Sequence, residues 1–118
     1  MKAEGKKLSA LLKNSESKLK RGSADPIVNR LVIDSRRVTP GSLFFALPGI
    51  RHDGTSFVDE ALTRGAVGVI SNAPRRFGNS KAVFVKSADP RITLAKVARR
   101  FFGKPDKALT LIGITGTN

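Results

Sequence analysis

The run Leu31-Val32-Ile33-Asp34-Ser35-Arg36-Arg37-Val38-Thr39-Pro40-Gly41-Ser42-Leu43-Phe44-Phe45-Ala46-Leu47-Pro48-Gly49 decides the fold, because it holds the ends of two apolar segments too short to be helices. Upstream of Asp34 the chain from Ile27 to Ile33 is rich in β-branched residues, which predicts a strand. Asp34-Ser35-Arg36-Arg37 turns it out into solvent. Pro40-Gly41 punctuates the chain, Ser42 to Leu47 with Phe44 and Phe45 predicts a second, buried strand, and Pro48-Gly49 stops it. A loop through Arg51, His52, Asp53 and Gly54 follows.

Working outward, Phe57, Val58, Ala61 and Leu62 share one face of a helix expected from Ser56, with Asp59 and Glu60 in its first turn, where the helix dipole favours acids. Gly65 suits its C-terminal cap. Val67 to Ile70 and Ala82 to Val85 predict two further strands around the loop Asn72 to Lys81, which carries Pro74, Gly78 and Asn79. Asp89 then caps a second helix with Pro90 in its first turn, and Leu94, Ala98 and Phe101 form a stripe opposite Lys96, Arg99 and Arg100 as far as Gly103. Leu109 to Ile114 predicts a last strand that feeds into Thr115-Gly116-Thr117-Asn118. Strands alternating with helices imply an α/β domain with a mixed, largely parallel sheet flanked by helices. Before the first strand, Leu8, Leu11 and Leu12 recur at helical spacing and fade into the polar stretch Asn14 to Asp25. Residues 1–26 therefore read as a basic, partly flexible leader, an appendage to the domain.

The 118 residues, 40% of them hydrophobic, are enough for one modest core. No apolar run approaches the roughly 20 residues that span a bilayer, and the lysine-rich start lacks the apolar segment of a secretory signal, so a soluble, cytoplasmic protein without a membrane partner is expected. With no cysteine there is neither disulfide framework nor thiolate chemistry. A formal charge of +13 favours polyanions. The lysines crowd the start, however, Tyr and Trp are absent, and the Phe residues sit in apolar runs, so a solvated basic surface is the better reading and no specific nucleic acid is expected. Asp34 with Arg36 reads as a local ion pair, and neither Asp59 nor Glu60 has a nucleophile or metal ligand beside it. The chain offers no catalytic residue and no metal site.

Three segments in this order carry a resemblance: Asp34-Ser35-Arg36; Pro40 to Gly49, with Asp53-Gly54 after it; and Leu111-Ile112-Gly113-Ile114-Thr115-Gly116-Thr117-Asn118. From about Leu31 onward the chain resembles the Mur ligases of peptidoglycan synthesis, and within them the MurE branch, which adds the third amino acid to UDP-N-acetylmuramoyl-L-alanyl-D-glutamate. The resemblance implies that residues 27–106 are the N-terminal domain that binds the UDP end of the substrate. It implies too that residues 107–118 are the first strand and the start of the phosphate loop of a central ATP-binding domain. Gly116, Thr117 and Asn118 would open that loop and Gly-Lys-Thr would continue it, so the end at Asn118 is expected to interrupt a longer protein. By the same resemblance Ile33, Ser35, Ile50, Arg51 and His52 meet the UDP-sugar; read from the residues alone, Ser35 caps a turn and His52 pairs with Asp53. As a hydroxyl at a strand end, Ser35 is expected to carry little core packing.

The intact enzyme would use ATP and Mg2+ to activate the D-glutamate carboxylate as an acyl phosphate. It would then join meso-diaminopimelate or L-lysine, whichever its C-terminal domain selects, and act as a monomer. The chain alone is expected to hold no nucleotide and to be inactive. Two alternatives stand beside this reading. One is the sibling MurF, which typically has serine where this chain has Thr117; the other is a basic nucleic-acid-binding module.

Overall fold

The computed structural model describes residues 5–13, 24–47, 54–72 and 81–103. In chain order these form β1 (Lys6–Lys7), α1 (Leu8–Leu11), β2 (Ile27–Val28), β3 (Arg30–Val32), a 3-10 turn (Ser35–Arg37), β4 (Ser42–Phe45), α2 (Gly54–Thr63), β5 (Gly68–Ser71), β6 (Val83–Lys86) and α3 (Pro90–Phe102). The main sheet has the order β3-β4-β5-β6, and every pairing in it is parallel. Antiparallel pairing is confined to the small β1–β2 ribbon. The mixed, largely parallel arrangement expected from sequence is thus resolved into a fully parallel sheet and a separate two-stranded flap.

Alternation along the strands divides the core in two, since successive side chains in a strand point to opposite faces. Leu31, Leu43, Phe45, Ile70 and Val85 face α1 and α3, where Leu8, Leu11, Leu12, Leu94, Val97, Ala98 and Phe101 close one cluster. Val32, Phe44 and Val69 face the other way, against Val58 and Ala61 of α2 and Val38 after the 3-10 turn. Helices on both faces are what buried parallel strands require.

Three expectations are corrected here. The predicted strand Ile27 to Ile33 is two strands in two sheets: the chain crosses from the flap to the main sheet at Asn29, whose N–H donates to the Gly41 carbonyl at 3.0 Å. The opening residues are no appendage where they are described. Leu8 and Leu11 are fully buried, Lys6 Nζ donates to the Arg100 carbonyl at 2.8 Å, and Arg100 Nη1 donates to the Leu11 carbonyl at 3.2 Å. A four-residue helix is too short to hold itself together. Its first N–H groups are met by the Pro26 carbonyl on Leu8 and by the Asp25 carboxylate on Ser9, which also binds the Ser9 hydroxyl. Finally, α2 starts at Gly54 rather than Ser56, which takes Asp59 and Glu60 out of the first turn.

Other elements follow the sequence closely. The Asp89 carboxylate accepts from the N–H groups of Arg91 and Ile92 at the start of α3, and Gly103 ends the helix at φ 77°. Gly65 closes α2 at φ 104°, and a Cβ there would lie 2.9 Å from Pro40 Cα, so both the conformation and the space call for glycine. The predicted strand Leu109 to Ile114 lies outside the described residues.

Candidate functional site

Because all four strands run the same way, their C-terminal ends share one edge of the sheet. In open parallel sheets that edge is where ligands bind, since the loops leaving it are free to vary while the faces hold the core. Here the edge is made by Ile33 to Ser35 after β3, Ala46 and Leu47 after β4, Asn72 after β5 and Ser87 after β6. Ile33 and Leu47 are half-buried and pack against the same apolar cluster, which joins the ends of β3 and β4.

The turn after β3 is built by its own acid. Asp34 Oδ1 accepts from the Arg36 N–H at 3.0 Å, capping the 3-10 turn, while Arg36 Nε and Nη2 reach the two carboxylate oxygens at 3.1 and 3.0 Å. These hydrogen bonds from Arg36, more than its charge, hold the Asp34 carboxyl below its ordinary pKa against the opposing effect of burial. In return Asp34 raises the pKa of the Arg36 guanidinium, chiefly through the hydrogen bond. The expected local ion pair is present. With the Arg36 side chain 70% exposed it shapes the turn more than it stabilises the fold.

Ser35 is the candidate whose setting differs most from expectation. It is only 3% exposed, and its hydroxyl donates to Glu60 Oε1 of α2 at 2.7 Å. The strand-end hydroxyl therefore does carry packing, and its single proton is already committed. Arg64 Nε, just past the end of α2, donates to the other Glu60 oxygen at 3.4 Å. Glu60 was read from sequence as a helix-start acid; its partner lies 25 residues away, and no local pattern announces it. Of the remaining candidates, Ile50, Arg51 and His52, in the chain between Leu47 and Gly54, lie outside the described residues, and so do Gly116, Thr117 and Asn118. The structure thus brings Ile33 and Ser35 to the sheet edge and does not describe the other six.

The sequence profile described as Mur ligase family, catalytic domain, matches residues 28–112. The chain belongs to the Mur ligase family. Among curated relatives, the UDP-N-acetylmuramoyl-L-alanyl-D-glutamate--2,6-diaminopimelate ligase of Solibacter usitatus is 53% identical over 93 residues, covering 77% of this chain and 18% of that protein. The ligase of the same name from Syntrophomonas wolfei is 37% identical over 112 residues, covering 95% of this chain and 23% of the relative. This Mur ligase chain therefore spans about a fifth of the length of the curated relatives it matches. Among solved structures, MurF from Acinetobacter baumannii superposes with a TM-score of 0.66 at 23% identity, over 82% of this chain and 21% of that one, and shows the same fold. The MurF ligase of Thermotoga maritima in complex with ADP is 35% identical, with a TM-score of 0.51 over 63% of this chain and 17% of its own. The parallel α/β domain with helices on both faces is the architecture this family shares.

Proposed function

We infer that this chain is the substrate-gripping N-terminal part of an ATP-dependent ligase that joins diaminopimelate to the D-glutamate carboxylate of UDP-N-acetylmuramoyl-L-alanyl-D-glutamate in the cytoplasm. The observation that carries the reading is the 53% identity over 93 residues to a ligase named for that reaction. The relatives' name points to diaminopimelate, and the same agreement favours this branch over MurF, whose structures have the fold in common.

A carboxylate is a poor electrophile, and ATP with Mg2+ would supply its activation by phosphoryl transfer, leaving an acyl phosphate open to attack by the amine of the diamino acid. Residues 27–106 act before that step. Their task is positional: gripping the UDP end far from the reacting carboxyl fixes where that carboxyl sits and converts binding energy into orientation. We assign this task to the turn at Ile33 to Arg37, at the C-terminal edge of the sheet, and to residues 50–52, which follow β4 in the chain. Arg51 is suited to the diphosphate and the strand-end backbone to the polar edge of uracil. None of these residues takes part in bond making, so catalysis rests with groups beyond residue 106, Gly116 to Asn118 among them as the opening of the phosphate loop.

Titration of the chain with UDP-N-acetylmuramic acid, followed by amide NMR, tests the reading. Saturable shifts centred on Ile33 to Arg37 and on residues 50–52 are expected, and inorganic pyrophosphate at equal concentration should reproduce only part of them. Shifts confined to the lysine-rich first residues and abolished by moderate salt would overturn the reading in favour of unspecific charge attraction.

A further inference from the structure

We propose that Glu60 is a positioning residue for the UDP site: its carboxylate holds the Ser35 hydroxyl, and through it the Asp34–Arg37 turn, in the shape that meets the ligand. The inference rests on the reading above that the end of β3 binds the uridine diphosphate, and it deepens that reading by naming what sets the site's geometry. Three observations carry it. Ser35 is 3% exposed and gives its only hydroxyl proton to Glu60 at 2.7 Å, so the side chain is turned inward and recognition falls to the backbone of the turn. Glu60 sits in the middle of the ten-residue α2, a rigid element whose face packs on the sheet through Val58 and Ala61, so the anchor point is fixed by the core. Within the turn, the Arg37 N–H donates to the Asp34 carbonyl at 2.9 Å and the Val38 N–H to the Ser35 carbonyl at 3.4 Å. Movement of Ser35 therefore moves the whole turn, and with it the residue next to Ile33.

Arg64, hydrogen-bonded to the second oxygen of Glu60, steers the carboxylate from the solvent side. The arrangement asks Glu60 for an acceptor in the right place rather than for a charge, and this separates a positioning role from an electrostatic one. Glutamine at position 60 supplies the same acceptor; alanine or leucine does not.

The test is a double-mutant cycle in the chain, with affinity for UDP-N-acetylmuramic acid read from amide shifts and stability from urea unfolding. Glu60→Ala and Ser35→Ala should each weaken binding about tenfold, the loss of one hydrogen bond's worth of ordering. The double variant should bind no more weakly than either, because both act through one contact. Glu60→Gln should stay within about twofold of the wild type, and Glu60→Ala should bind more weakly even when affinity is corrected for the fraction folded, which simple loss of folding energy does not predict. Val97→Ala, in the core of α3, should lower stability while leaving affinity of the folded form unchanged. If Glu60→Ala unfolds, the comparison of Glu60→Gln with Glu60→Leu carries the same weight. An unaffected Glu60→Ala, additive losses, or a Glu60→Gln as weak as Glu60→Ala would overturn the role of Glu60 while leaving the UDP reading intact. A wild-type chain that shows no shifts at the β3 end would remove both.

Discussion

Replacing Leu8 by alanine should cost about 3–4 kcal/mol, a large share of the roughly 5–15 kcal/mol that holds a domain of this size together. The size of the effect comes from what lies beneath the side chain. Leu8 is fully buried, and the point where a Cβ of Gly68 would sit is only 3.6 Å from Leu8 Cδ2, so this leucine covers a place on β5 that has no side chain of its own. Truncation leaves a void over a strand that is paired on both sides, to β4 and to β6, and cannot rise to fill it. The cost should therefore fall well above the minimum for such a change. Urea unfolding followed by circular dichroism would read it as a lowered midpoint at unchanged slope, with a fall in melting temperature of roughly 10–20 °C. Lys7→Ala, at an exposed neighbour, is the control and should stay within about 0.5 kcal/mol. Adding Gly68→Ala to Leu8→Ala should recover little, because the new Cβ would lie 2.9 Å from Cδ1 of the buried Leu43, which must shift before the methyl can use the void. A Leu8→Ala protein as stable as the wild type would mean that the opening segment is a dispensable arm after all, and the packing argument would fail.

Gly65→Ala should destabilise by more than about 1 kcal/mol, since it combines a left-handed backbone with a Cβ 2.9 Å from Pro40; Gly103→Ala, at φ 77° with open space around it, should lose only the conformational part, and equal losses in urea would refute the steric argument. The folded-state pKa of Asp34 lies below its unfolded value, so its contribution is complete above the unfolded value of about 3.9 and is lost as pH falls through the folded one; the stability difference between wild type and Asp34→Asn should be level near neutrality and vanish in acid, and a difference that grows on acidification would reverse the sign. The outward side of α3, with Lys96 and Arg99 exposed and no acid within the helix, should attract polyanions weakly and without sequence preference; DNA binding that persists in about 0.5 M salt would revive the nucleic-acid reading.

Elements with local causes were legible in the sequence, and those with distant causes were not. The ends of α3 follow from Asp89, Pro90 and Gly103, each acting on its own neighbours, and the stripe Leu94, Ala98 and Phe101 finds its place on the sheet. Phe44 and Phe45, adjacent in the chain, read as a buried run and prove to face opposite cores, as a strand covered on both sides demands. The role of Leu8 and Leu11 escaped because the segment docks on remote residues, Arg100, which binds Lys6 and the Leu11 carbonyl, lying about ninety residues away, and a short leucine pattern among lysines looks the same whether it is solvated or docked. The same holds at the site. Asp34 with Arg36 could be read from spacing, whereas the inward turn of Ser35 depends on a glutamate in another element.

That dependence bears on how the family's parts are divided between stability and recognition. A parallel sheet closed on both faces leaves its C-terminal edge free for ligands, and residues there are commonly free of packing duties. In this chain the separation is incomplete, because the turn after β3 is tied to α2 by a buried hydrogen bond and α2 is tied to the core by Val58 and Ala61. Changes in the core packing of α2 should therefore be felt as changes in affinity at the turn, even where no side chain of α2 reaches the ligand.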